Sequence, residues 1–198
     1  MTKILVLDTE TTGLKQDKGA RIIEIALLTY SLETGELTDT WIKRFDPQCP
    51  IESSAQAIHG ISYSDLVGEP IWEDLADEIA ERMGKADLLV AHNVGFDGPF
   101  IAAELLRCGV AIPDVYSFCT MAEGRWACAD GKSPKLGELA FALGVDYDMS
   151  KAHGAGYDTS VTAECFFAGF KRGFYKLPNA MKSAADFDNC HNEERKVA

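Results

Sequence analysis

The pattern of apolar and polar residues predicts three consecutive strands at the start of the chain. Apolar residues dominate residues 4–7 and 21–30 and recur through residues 36–45, and segments rich in turn formers separate the three. Short apolar runs bounded by such residues are typical of strands. The turn at residues 33–36 is short enough to join the second and third strands as neighbours. We therefore expect an antiparallel meander.

Helical spacing follows in the middle of the chain. From residue 71 onward, apolar side chains recur at intervals of three and four residues, which is the period of an amphipathic helix. The same reasoning predicts helices at 53–58, 96–108, 120–127, 136–143 and 157–170, and strands at 87–91 and 114–119. Strands and helices in this order predict an α/β fold in which helices flank a mixed five-stranded sheet.

Composition limits the class of protein. The 198 residues suit one domain, which we place at residues 1–175, followed by a tail at 176–198 that forms a short helix or is loosely ordered. With 46% hydrophobic and 25% charged residues, the chain has a globular composition. We see neither a signal peptide nor an apolar run that could cross a bilayer, so we expect a cytoplasmic protein with no membrane partner. The six scattered cysteines are expected to be free thiols.

The chain is strongly acidic. It has 19 Lys and Arg residues against 31 Asp and Glu residues, a formal net charge of −12. An acidic surface repels polyanions, which argues against a high-affinity binder of long duplex DNA. It does not exclude an enzyme that holds a few phosphates through metal ions.

Two carboxylates stand at the end of the first strand. Asp8 and Glu10 follow its apolar run at alternate positions, so both point to the same face. Like charges at the end of a buried strand are costly unless cations offset them. Carboxylate oxygens are preferred ligands of Mg²⁺ and Mn²⁺. The alternative is a solvated strand end with two surface acids.

Two further acids occupy similar positions. Asp97 follows the fourth strand, and Asp158 lies in the opening turn of the last helix, after a glycine-rich segment that contains His153. Each residue also has a structural alternative. Asp97 has the position of a helix N-cap, Asp158 that of an acid on the helix dipole, and a lone loop histidine is usually solvated.

Together these motifs resemble the DEDDh branch of the DnaQ-like 3′-5′ exonuclease family, which has an RNase H-like fold. The resemblance rests on residues 8–14, 58–61, 92–97 and 153–158, in this order along the chain. It implies two Mg²⁺ or Mn²⁺ ions held by Asp8, Glu10, Asp97 and Asp158, and a general base at His153. The sister branch has a catalytic Tyr at the position of Gly154, so the His branch fits better.

The chemistry of phosphodiester hydrolysis explains why such a set is needed. Hydroxide must approach an already anionic phosphate, so charge has to be neutralised at both the attacking and the leaving oxygen. Two metal ions about 3.5–4 Å apart achieve this. An ordinary imidazole, with a pKa of about 6.5, can accept the proton of the attacking water at neutral pH.

The resemblance also implies contacts to the terminal nucleotide. These fall on Thr9, Thr11, Leu14, Ile58, His59, Asn93 and Phe96. Core packing is the alternative for Leu14, Ile58 and Phe96, and holding the loop is the alternative for Asn93. Lys132, Lys135 and Lys151 are candidates for phosphate contacts, with a solvated surface as the alternative for each.

The motif variants are closer to the DNA-directed members of the family than to its RNA-directed members. We therefore expect a stand-alone exonuclease that binds the 3′ ends of nucleic acid, prefers single-stranded or frayed DNA, and releases nucleoside monophosphates. One alternative is a 3′-5′ RNA exonuclease, and another is a non-catalytic nucleic-acid binding module on the same scaffold. The complete set of catalytic positions and the acidic charge argue against the binding module. Homodimers are frequent in the family, so the resemblance also allows a homodimer.

Overall fold

Six strands form one mixed sheet in the computed structural model, which describes residues 2–175, 177, 182 and 183. The strands are β1 (Lys3–Thr11), β2 (Ile22–Ser31), β3 (Leu37–Arg44), β4 (Leu88–Ala91), β5 (Tyr116–Cys119) and β6 (Lys182–Ser183). Their order in the sheet is β3-β2-β1-β4-β5-β6. The first three strands pair antiparallel, whereas β4 and β5 run parallel to β1. The predicted mixed sheet is confirmed, and β6 adds a two-residue antiparallel strand to it.

Helices cover both faces of this sheet. They are α1 (Ser53–His59), α2 (Trp72–Gly84), α3 (Val94–Arg107), α4 (Thr120–Glu123), α5 (Leu136–Leu143) and α6 (Ala155–Lys171). On one face, Leu5 and Leu7 of β1 pack in a core with residues of α2 and α3. On the other face, Ile4 and Val6 pack in a core with Phe166 of α6. The run at the start of β1 is apolar throughout because the strand is buried on both faces.

Some element boundaries differ from the predicted ones. β1 continues to Thr11, so Asp8 and Glu10 lie within the strand and not beyond its end. The helix predicted at 120–127 ends at Glu123, and a separate 3₁₀ turn follows at Arg125–Ala127. The tail predicted at 176–198 lies outside the described residues, apart from Leu177 and β6.

Two expectations from composition can be compared with the described part of the chain. None of its helices combines the length and the apolar composition that a bilayer crossing requires. Its cysteines are free thiols, as expected: Cys49, Cys108, Cys119, Cys128 and Cys165.

Candidate active site

Three carboxylates meet beside the C-terminal half of β1. Oxygens of Asp8, Glu10 and Asp158 all lie within 4.8 Å of one another. Asp8 and Glu10 share the face of β1 that α6 covers, because side chains alternate along a strand. Asp158 reaches them from the first turn of α6. The fold therefore brings together acids that are about 150 positions apart in the sequence.

Asp97 joins this group from the first turn of α3. Its Oδ1 accepts hydrogen bonds from the backbone N–H of Thr9 at 3.0 Å and from the Thr9 hydroxyl at 2.7 Å. After burial, the charge of Asp97 contributes most to raising the pKa of Asp8, ahead of Glu10 and Asp158. Asp97 is therefore close to the cluster. Thr9, predicted to contact substrate, is buried and positions this acid.

The electrostatics of the four acids favour a bound cation. Burial, with the charges of neighbouring acids, raises the pKa of Glu10 to about 8. Burial raises the pKa of Asp97 to about 7, and it also raises the pKa of Asp158. None of the four pairs with a Lys, Arg or His side chain in the described part of the chain. The charge of His153 acts to lower the pKa of Asp158, but no cation does so for Asp8, Glu10 or Asp97 in this part of the chain. The protein itself thus leaves most of this negative charge uncompensated.

One oxygen of the cluster also lacks a hydrogen-bond donor. Asp158 Oδ1 is buried without a partner, which is costly for a carboxylate oxygen. A divalent cation would satisfy this oxygen and favour the ionised form of its neighbours. An all-carboxylate donor set suits Mg²⁺ or Mn²⁺. The residues present therefore fit a divalent metal centre.

His153 lies next to this cluster. Its backbone N–H donates a hydrogen bond to Asp158 Oδ2 at 2.9 Å. The backbone of His153 is in the left-handed region, with φ of 63°, a conformation that is strained for a residue with a side chain. The exposed His153 side chain lines the same cleft as Asp8 and Asp158. The structure thus places an imidazole beside the acids.

A cleft with a volume of about 1540 Å³ opens over the acids. Asp8, Asn93, His153 and Asp158 line its inner part, and residues 127–149 contribute most of its outer wall. Lys132 and Lys135 also line the cleft, whereas Lys151 is not among its lining residues.

Leu14 and Ile58, two of the predicted substrate contacts, are exposed. Leu14 is 68% and Ile58 is 53% exposed, so core packing does not explain either residue. Phe96 is half-buried and packs against Phe100, with ring centroids 4.9 Å apart. Core packing therefore explains part of the role of Phe96.

The other predicted contacts make local hydrogen bonds or stand at a helix start. Buried Thr11 donates its hydroxyl to Gly13 O at 2.7 Å. His59 Nδ1 accepts a hydrogen bond from the backbone N–H of Ile61 at 3.0 Å. Asn93 precedes α3 with φ of 77°, a conformation that Asn tolerates better than most residues.

The sequence did not indicate the role of buried Glu24. It lies opposite Glu10 in the register of β1 and β2. Its Oε1 accepts from Arg44 Nε at 2.7 Å, and its Oε2 accepts from the backbone N–H of Ala155 at 3.0 Å. Glu24 thereby attaches the start of α6 to the sheet. A charged residue inside the apolar run at 22–28 was the signal that could have revealed it.

His92 has a similar supporting role. Its Nε2 lies 3.1 Å from the carbonyl oxygen of Pro134, and its Nδ1 lies 3.0 Å from Thr120 Oγ1. A carbonyl oxygen only accepts, so Nε2 carries the proton and Nδ1 accepts from the threonine hydroxyl. Burial lowers the pKa of His92 to about 4, so the ring is neutral at pH 7. His92 thus joins the end of β4 to the segment that leads into α5.

The fold and the site are those of an α/β protein whose acidic centre suits divalent metal ions. The exonuclease family RNase_T matches residues 5–166. The chain therefore belongs to this family of DnaQ-like exonucleases. The predicted membership of the DnaQ-like exonuclease family is thus confirmed.

The similar curated proteins include exonucleases and polymerase subunits. The 3′-5′ exonuclease DinG of Bacillus subtilis is 32% identical over 164 residues, which are 83% of this chain and 17% of DinG. DNA polymerase III subunit epsilon of Escherichia coli is 29% identical over 177 residues, covering 85% of this chain and 71% of that subunit. Epsilon of Buchnera aphidicola is 35% identical over 173 residues, covering 83% and 72%.

Solved structures of exonucleases share the fold. Exonuclease X in complex with 5′ overhanging duplex DNA has a TM-score of 0.67 and 23% identity, covering 89% of this chain and 96% of that one. The zinc-bound Escherichia coli Exonuclease I–ssDNA complex has a TM-score of 0.76 and 18% identity, covering 87% and 41%. A 3′-exonuclease that recognises the histone mRNA stem-loop has a TM-score of 0.73 and 15% identity, covering 91% and 84%. These similarities confirm the predicted RNase H-like α/β fold.

Proposed function

We propose that this chain is a DEDDh-type exonuclease that hydrolyses phosphodiester bonds at the 3′ end of DNA and releases nucleoside monophosphates. The observation that carries this proposal is the convergence of Asp8, Glu10 and Asp158 within 4.8 Å, with Asp97 held beside them by Thr9. Family membership supports 3′-5′ polarity. The printed name of DinG agrees with this polarity, and the name of DNA polymerase III subunit epsilon supports DNA as the substrate.

The four acids would hold two Mg²⁺ or Mn²⁺ ions. Bound there, the ions supply charge neutralisation at the attacking and leaving oxygens and lower the pKa of a bound water. The uncompensated charge of the cluster and the unpartnered Oδ1 of Asp158 support this assignment.

His153 would accept the proton of the attacking water. Its backbone hydrogen bond to Asp158 keeps it next to the acids, and its exposed side chain is accessible from the cleft. A base that is held at the site but reachable from the cleft can transfer the proton onward to solvent.

The terminal nucleotide would bind beside exposed Leu14 and Ile58. Both side chains are apolar and more than half exposed, so they are accessible to pack against a base. Thr11, His59, Asn93 and Phe96 would complete the pocket, whereas Thr9 acts through Asp97.

One digestion experiment tests the proposal. Matched 5′-labelled single-stranded DNA, duplex DNA and RNA are incubated with the protein in Mg²⁺, Mn²⁺ or EDTA. We expect stepwise shortening of DNA from the 3′ end with either metal, none in EDTA, and none with Asp8→Ala. Faster turnover of RNA would contradict the DNA assignment. Binding without hydrolysis of any substrate would favour the non-catalytic module.

Two further expectations accompany the proposal. A homodimer and a cytoplasmic location stay predictions, which size-exclusion chromatography and cell fractionation would test.

A further inference from the structure

The outer wall of the cleft carries unusually exposed apolar side chains. Phe141 of α5 is 88% exposed, and Met149, in the loop after α5, is 79% exposed. No other large apolar residue in the described ranges reaches these values. Exposed apolar side chains inside a concave surface are typical of a binding site.

This wall has a fixed position relative to the acids. Leu139, Ala140 and Leu143 of α5 are buried and pack against Val161 and Cys165 of α6. Because α6 also carries Asp158, the two helices hold the wall and the acid cluster in one arrangement. With the inner face of α5 occupied in this way, Phe141 faces the open cleft.

The charges on the wall do not favour phosphate binding. Lys132 and Lys135 line it, but so do Asp130, Glu138 and Asp146. Lys132 Nζ also pairs with Glu138 Oε1 at 2.8 Å. With two cations against three acids, the affinity of this wall for a nucleic acid has to come from contacts with its bases. The faces of unpaired bases stack on aromatic side chains whatever their sequence.

We propose that Phe141 and Met149 form a stacking surface for the unpaired bases that lie 5′ of the terminal nucleotide. This inference rests on the proposed function, since it assigns the substrate strand a path from the acids along the wall. A duplex keeps its bases stacked on each other, so the surface selects single-stranded or frayed 3′ ends. The substrate class is therefore an unpaired 3′ strand of several nucleotides.

Substrates of different length test the proposal. The p-nitrophenyl ester of thymidine 5′-monophosphate fills only the terminal position, whereas the single-stranded oligonucleotide dT10 reaches the wall. We expect Phe141→Ala to raise the KM for dT10 about tenfold, which is the size of change expected when one stacking contact is lost. It should leave hydrolysis of the ester unchanged. Phe141→Trp should restore the KM, because it restores the aromatic face.

A matched variant and a duplex substrate complete the test. Leu106→Ala removes a side chain that is 62% exposed on α3 outside the cleft, and it should match the wild type on both substrates. The preference for dT10 over blunt duplex, measured as a ratio of kcat/KM, should shrink in Phe141→Ala alone. An unchanged KM for dT10, or an equal loss on the ester, would overturn the stacking surface while the exonuclease function stands. A wild-type protein that hydrolyses neither substrate would overturn both.

Discussion

Glu10 shows how a single residue of the acid cluster links function to stability. Burial and the neighbouring charges raise the pKa of Glu10 from 4.5 to about 8. Between these two values, the folded protein keeps a proton that the unfolded chain has released. Raising the pH through this window therefore lowers the free energy of unfolding when no metal is present. A divalent metal ion binds the ionised form of this carboxylate.

Replacing Glu10 with Gln should therefore stabilise the metal-free protein. In EDTA at pH 8, we expect the Tm of Glu10→Gln to exceed that of the wild type by several degrees, since about 1 kcal/mol corresponds to 2–4 °C for a chain of this size. The difference should shrink as the pH falls toward 4.5, and Mg²⁺ should reverse it. Thermal melts from pH 5 to 9 measure this, with exposed Glu69→Gln as the control. A difference that does not depend on pH would contradict the explanation.

His153 is the residue whose loss should affect turnover and not metal binding. Without a general base, we expect His153→Ala to reduce kcat by about 10² or more. The Mg²⁺ concentration that gives half-maximal rate should stay unchanged, because the proposed ligands are carboxylates. Ser150→Ala is a suitable control in the same loop, since the side chain of Ser150 hydrogen-bonds to Asp148 outside the site. A kcat within a factor of a few of the wild type would exclude His153 as the base.

Among the elements, α6 depends on Glu24 for its attachment to the sheet. The carboxylate accepts hydrogen bonds from Arg44 on β3 and from Ala155 at the start of α6. The helix lies close to β3 at Gly156. A Cβ atom added at Gly156 would lie only 2.8 Å from Ile42 Cδ1. The first turn of α6 thus has a defined position, and it carries Asp158.

Removal of this attachment should reduce catalysis through Asp158. We expect Glu24→Ala to lower kcat about tenfold or more, with a smaller change in KM, because small displacements of catalytic groups are costly. Glu24→Gln keeps a carbonyl oxygen for the Ala155 N–H, so it should preserve most of the activity. Steady-state kinetics on a single-stranded oligonucleotide distinguish the two. Equal losses in both variants would mean that the charge of Glu24 matters, and not its hydrogen bond.

The element boundaries show where sequence patterns stop being informative. The apolar run predicted a strand at residues 4–7, yet β1 extends to Thr11 because its polar residues keep pairing with β2, as Asp8 does with Ala26. The apolar pattern ends before Asp8 because carboxylates then occupy positions on a buried face of the strand. Similarly, α6 begins at Ala155 and not at 157, because Glu24 fixes a glycine-containing turn that has weak helix propensity by itself.

For the whole molecule, the sequence located the acids but not the contacts that support them. The motifs identified Asp8, Glu10, Asp97 and Asp158, and the fold brings three of them within 4.8 Å. The supporting hydrogen bonds join residues far apart in sequence, with a separation of 131 positions between Glu24 and Ala155. Such contacts depend on tertiary packing, which no local pattern encodes. The sequence also did not predict the exposure of Phe141, because helical spacing alone does not show which face of a helix has no other element packed against it.

The net charge of −12 affects how the whole molecule binds a polyanion such as DNA. Long-range repulsion opposes the approach of DNA, and the acid cluster adds negative charge where a phosphate has to bind. Proteins that bind through basic surfaces release many counterions, which gives a steep salt dependence. This chain has no such excess of cations, so metal ions and base stacking have to supply the affinity.

DNA binding should therefore require a divalent metal and depend only weakly on salt. With the slow His153→Ala variant and fluorescent dT10, we expect Kd to be at least tenfold lower in Mg²⁺ than in EDTA. The slope of log K against log [NaCl] should be shallower than about −2, as for a strand with few phosphate contacts. Fluorescence anisotropy measures both quantities, and adding Asp8→Ala should remove the metal effect. Tight binding in EDTA with a steep salt slope would instead point to a basic DNA-binding surface.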